Sequence, residues 1–126
     1  MSNTKIKKAC ELSKKVLNEI NQYCELYTGV NGKDVTSESS LQALQQILEE
    51  GFTLYNYIVE NKFYENKPEL TISLHNTAKY VNQLVINKEN AEKLRLSNAI
   101  QVWNQAKIAI AVLANVFLDC YESKEK

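Results

Sequence analysis

Residues Leu96–Cys120 read LSNAIQVWNQAKIAIAVLANVFLDC. In this stretch Leu96, Ala99, Trp103, Ala106, Ile110, Leu113, Phe117 and Cys120 follow a 3-4-3-4-3-4-3 spacing, which is one face of a helix. Neither Gly nor Pro occurs from Lys88 to Ser123, so the pattern predicts a single long helix over about 88–123. Ile108, Ala109, Ala111, Val112, Ala114, Val116 and Leu118 make its other sides apolar too. A helix that is apolar nearly all round has to be enclosed by other helices or by a second subunit.

Working back from that helix, three more stripes appear. The first is predicted from about Thr4 to Tyr27, with Ile6, Cys10, Ser13, Leu17, Ile20, Cys24 and Tyr27 as its core line. Ala9, Leu12, Val16 and Tyr23 widen it. Residues 28–34 hold Gly29 and Gly32 and predict a loop. Thr36 or Ser37 is then the expected N-cap of a second helix. That helix is predicted to reach about Tyr64, with Leu41, Leu44, Leu48, Gly51, Tyr55 and Ile58 on its inner line. A mid-helix Gly costs about 1 kcal/mol against Ala, so Gly51 is expected to mark a close helix crossing or a bend. Asn66 and Glu69 have capping-box spacing around Pro68. The third helix, about Lys67 to Ile86, presents Leu70, Leu74, Thr77, Val81 and Leu84, and residues 87–90 form a polar turn. Short links make successive helices antiparallel neighbours. The chain is therefore expected to be all-α, one domain over 1–126, an up-down-up-down four-helix bundle with a long C-terminal helix.

The predicted lengths carry a further expectation. At 1.5 Å per residue the last helix would reach roughly 50 Å, and the others roughly 30 to 40 Å. Its C-terminal part, with Val116, Phe117, Leu118 and Tyr121, is then expected to protrude and to need cover. Phe63 and Tyr64, or a second subunit, would supply it. Gln101 and Asn104 around Trp103 form a second candidate contact surface, because uncharged amides bordered by apolar side chains suit a partly buried interface.

The 126 residues carry 15 basic and 15 acidic side chains, so the formal charge is zero. That disfavours a dedicated nucleic-acid binder, which needs a basic surface. The best basic stripe is Lys7, Lys8, Lys14 and Lys15 on one face of the first helix, broken by Glu11. It is expected to be a solvated face, with phosphate tracking as the alternative. Cys10, Cys24 and Cys120 are odd in number and form no CxxC, as in reduced cysteines of a cytoplasmic protein. No apolar signal segment opens the sequence. The run from Ile108 to Leu118 spans roughly 16 Å as a helix, too short to cross a bilayer.

The sequence offers catalysis little. His75 is the only histidine, and no carboxylate or thiol lies three or four residues from it, so no helical metal-ligand pair is formed. Three glycines, Gly29, Gly32 and Gly51, cannot build a phosphate-cradling loop. Helical ribonucleases of the HEPN type carry an Arg followed closely by His on one helix. Here Arg95 is the only arginine and lies far from His75. No metal or cofactor is expected. The reading is a non-catalytic helical interaction protein with a protein partner or a second copy of itself. In the order and lengths of its helices the chain also resembles the small four-helix-bundle proteins encoded in rRNA intervening sequences and beside diversity-generating reverse transcriptases. That resemblance implies, as the alternative, a nucleic-acid-associated accessory subunit.

Overall fold

The computed structural model describes residues 3–27, 38–87 and 99–122. Among them are four helices and no strand: α1 (Asn3–Tyr27), α2 (Glu38–Glu60), α3 (Pro68–Asn87) and α4 (Ala99–Tyr121). The expected loop at 28–34, the caps at Thr36 or Ser37, the turn at 87–90 and the start of the last helix near Lys88 lie outside the described residues. None of the described helices is long and apolar enough to cross a membrane.

Cross-helix contacts give the directions. Lys8 Nζ sits 5.1 Å from the centroid of the Tyr57 ring, and at the other end of the pair the Tyr23 hydroxyl and Ser40 Oγ share a 3.0 Å hydrogen bond. α1 and α2 are therefore antiparallel. Lys14 pairs with Glu122, while Cys24 meets Lys107, so α4 runs antiparallel to α1 as well. Lys67 Nζ lies 5.4 Å from the centroid of the Tyr121 ring, which puts the start of α3 beside the end of α4. The result is an up-down-up-down bundle.

The bundle is not a symmetric square. α4 packs broadly on α1, α2 and α3, whereas α2 and α3 barely touch. The reason lies at the crossing of α2 and α4. A Cβ on Gly51 would come within 2.6 Å of Ile110 Cγ2 and 2.7 Å of Cγ1. The missing side chain lets α4 sink into the α1–α2 groove, so α4 lies against α2 as well as against α1. Gly51 thus marks a close crossing, one of its two expected roles.

The core follows the stripes. Trp103, Ala106, Ile110, Leu113 and Phe117 are buried along α4, as the 3-4 spacing predicts. On α1 the buried line is Ala9, Ser13, Val16, Ile20 and Tyr23, with Leu17 and Cys24 only half-buried. The line is rotated from the expected one because α1 faces two helices. The buried hydroxyls of Ser13 and Thr77 are satisfied by their own helices: Ser13 Oγ donates to Ala9 O at 2.8 Å and Thr77 Oγ1 to Ser73 O at 2.9 Å.

α2 stops four residues before the expected Tyr64. Lys62 adopts a left-handed φ of 56°. Its N–H donates to Val59 O and that of Phe63 to Ile58 O, both at 3.1 Å. This pair of bonds is a Schellman stop, made here without the usual Gly. Asn66 also takes a left-handed φ, 62°. An N-cap residue has extended backbone, so Asn66 turns the chain and does not cap α3. Pro68 occupies the first helical position, where its missing N–H costs nothing.

Candidate functional site

The end of α4, where Val116, Phe117, Leu118 and Tyr121 are expected to protrude, is instead covered by Phe63, one of the two covers the sequence offers. Phe117 is fully buried, and Val116, Leu118 and Tyr121 are half-buried against the core. The early stop of α2 is the cause. It swings Phe63 over the end of α4, where its ring stands edge-on to Phe117 and to Tyr121, each at 5.7 Å between centroids. Phe117 and Tyr121 stack at 4.7 Å. The Tyr121 hydroxyl donates to Phe63 O at 2.5 Å and locks the clasp. Burial pushes the Tyr121 phenol above its ordinary pKa.

Trp103 is also a core residue, and its indole N–H finds no partner among the described residues. Asn104 is half-buried and the side chain of Gln101 lies outside the described residues.

The lysines of α1 are exposed but largely engaged. Lys8 covers the Tyr57 ring, Lys14 pairs with Glu122, and Lys15 Nζ lies 3.7 Å from Glu50 Oε2. The bond to Glu122 raises the Lys14 pKa. Lys7 is exposed. Two of the four charges, Lys14 and Lys15, are thus opposed by carboxylates, which weakens the field the stripe offers phosphates. His75 is exposed on α3. Among the described residues no three His, Cys, Asp or Glu side chains come together to hold a metal ion.

What the bundle leaves open is the outer face shared by α3 and α4. Ile72 is 61% exposed, Ile108 59% and Val112 48%. Ile108 and Val112 line an open groove of 340 Å³ with Ser73, Asn76, Tyr80 and Gln105. Ser73 Oγ is buried and has no hydrogen-bond partner among the described residues. The face follows from helix periodicity. On α3, Glu69, Ile72, Asn76 and Lys79 repeat at 3-4 spacing; on α4, Gln105, Ile108, Val112, Asn115 and Asp119 do the same, and all nine are exposed. Because α4 sinks toward α1 and α2, its fourth side is covered by no described helix. The all-round apolar character of 108–118 signals such a side. It does not say which residues lie on it, and Ile108 and Val112 were not singled out by spacing.

Two polar clusters lie elsewhere. Glu19 of α1 faces Glu50 of α2, whose Oε2 accepts from Gln46 Nε2 at 3.3 Å. One oxygen of each carboxyl is buried without a hydrogen-bond partner among the described residues. Desolvation first, then the hydrogen bond and charge of Glu50, push the Glu19 pKa up to about 7, against a small opposing pull from Lys15. The second cluster is a buried ammonium. Lys107 Nζ lies 4.8 Å from the centroid of the Tyr23 ring and donates to Cys24 Sγ at 3.7 Å. A ring face and a soft sulfur are modest partners for a charge removed from water. Compared with protein-family models, curated proteins and solved structures, the chain matches none.

Proposed function

We propose that this chain is a non-catalytic helical interaction protein that docks through the outer face of α3 and α4. The observation that carries the reading is the exposure of Ile108 and Val112 on an open groove, with Ile72 exposed on the adjoining helix. Scattered surface apolar residues need no explanation, and Leu26 on α1 and Val59 on α2 are of that kind. Three large aliphatic side chains on adjoining helices make a patch of the sort that marks a contact site. Each contributes roughly 1.5 to 3 kcal/mol when fully covered. The place of action is the cytoplasm, where the thiols of Cys10, Cys24 and Cys120 stay reduced.

The test is photo-crosslinking in the cells that make the protein. A benzophenone side chain is placed at Gln105 or Asn76, and at exposed Asn21 on α1 as a control. Protein adducts from the first two positions and none from the third are expected. Absence of adducts from the face, or equal labelling at Asn21, overturns the reading. Adducts to RNA or DNA would move the assignment to a nucleic-acid accessory role.

A further inference from the structure

We propose that the occupant of this face is a second copy of the chain, paired across a two-fold axis with its α3 and α4 antiparallel to those of the first. The inference rests on the docking reading above and adds the identity of the partner.

The argument is the order of charges along the face. α3 and α4 are antiparallel, so Glu69 and Asp119 lie at one end, level with the Lys67–Tyr121 contact. Lys79 lies at the other end, where the groove runs between Tyr80 and Gln105. Ile72, Ile108 and Val112 occupy the middle. Among the described residues the exposed charges of the face thus run from acidic, across an apolar middle, to basic, with Lys67 held over the Tyr121 ring beside the acidic end. A two-fold contact applies the same patch to itself, with each residue meeting a different one and the meeting repeated. Turned end for end, this patch is its own complement. Lys79 of each copy meets Glu69 of the other, α3 lying on α3, and the aliphatic side chains meet between them. A parallel arrangement would set like charges side by side. Complementary charge ordering fixes register and suppresses wrong pairings. The zero formal charge of the chain removes the general repulsion that keeps highly charged proteins apart.

Size sets the strength. The exposed stripes run about 20 Å along the helices, and two neighbouring helices give about the same width. A face of about 400 Å² per copy is below the ordinary range for stable complexes, so the dimer is weak and concentration-dependent.

The experiment is sedimentation equilibrium of the purified full chain up to about 500 µM, since association this weak is visible only at high concentration. The wild type is expected to shift toward dimer across the series. Ile108→Glu places a charge at the centre of the contact and should weaken pairing at least tenfold. Lys79→Glu and Glu69→Lys should each weaken it several-fold. An equimolar mixture of these two variants should recover pairing, because in the mixed dimer both ends are again opposite in charge. Circular dichroism checks the fold of each variant. If Ile108→Glu unfolds, the two charge variants and their mixture decide alone. A wild type that stays monomeric overturns the proposal. So does a dimer that the mixture fails to restore. Crosslinks from Gln105 to a different protein, with a monomeric purified chain, remove the second copy and leave the docking face standing. No crosslinks and no dimer remove both.

Discussion

α2 and α3 both lie against α4, and they do so in opposite ways. α2 removes a side chain at the crossing, so that Ile110 fills the space above Gly51. α3 presents small and polar groups, Ser73, Asn76 and Thr77, and leaves a groove. Its large buried side chains are Leu70 and Leu74. Absence of a side chain gives close packing at the α2 crossing, whereas α3 packs along α4 over a longer stretch and its small and polar groups leave a groove at the outer edge of that seam.

The largest expected effect tests the two sides of α4 directly. Ile110→Ala should destabilise the protein by about 2–5 kcal/mol, the range for emptying a close-packed aliphatic site. Ile108→Ala, one turn-face away and exposed, should change stability by less than about 0.5 kcal/mol. Urea unfolding of both variants reads the difference; equal losses would erase the contrast. Next comes Gly51→Ala. Helix propensity alone would favour Ala by about 1 kcal/mol. The clash with Ile110, which is fully buried and has little room to move, is expected to outweigh this, for a net loss within the roughly 1–3 kcal/mol range of overpacking. A rise in melting temperature would show that α4 can back away from α2 without loss, and that the close approach at Gly51 has no packing role.

The α1–α2 seam sharpens the comparison from a third direction. Glu19 has a folded pKa of about 7 against an ordinary 4.5. The folded state therefore holds its proton more tightly than the unfolded chain. The associated stabilisation is fully present below about pH 4.5 and is lost as pH rises through about 7. Denaturation midpoints measured across that window should fall with rising pH, and Glu19→Gln should flatten the slope. An unchanged slope would show that the carboxyl pair is not strained. The smallest effect is expected from changing Lys7, Lys8, Lys14 and Lys15 together to Gln. Exposed ion pairs contribute little, so the helical circular dichroism signal and the melting temperature should stay nearly unchanged.

Periodicity carried most of the architecture. The four helices, the buried row from Trp103 to Phe117 and the close approach at Gly51 were legible because local spacing determines them, while the buried line of α1 came out rotated from the expected one. The end of α2 was not, because a left-handed Lys62 carries no compositional mark of the kind a Gly would give. The sequence offered Phe63 as one possible cover for Phe117 and Tyr121, but without the stop at Lys62 it could not choose that cover over a second subunit. The open face on α3 and α4 depends on how deeply α4 sinks between its neighbours. The Glu19–Glu50 pair depends on which sides of α1 and α2 meet. Both are properties of tertiary packing that no single helix encodes.

The central position of α4 also bears on how the molecule is made. A chain leaves the ribosome from its N-terminus, and domains tend to fold as units as they emerge. α1 and α2 pack on each other and can pair early. α3 comes next and finds little to rest on, since α2 barely touches it. Its partner is the helix synthesised after it. A nascent chain halted at Asn87 is therefore expected to hold a helical hairpin with α3 undocked, and proteolysis of arrested chains would reveal it. Completion of the bundle awaits the last helix, whose final turn must reach back to Phe63 before the structure closes.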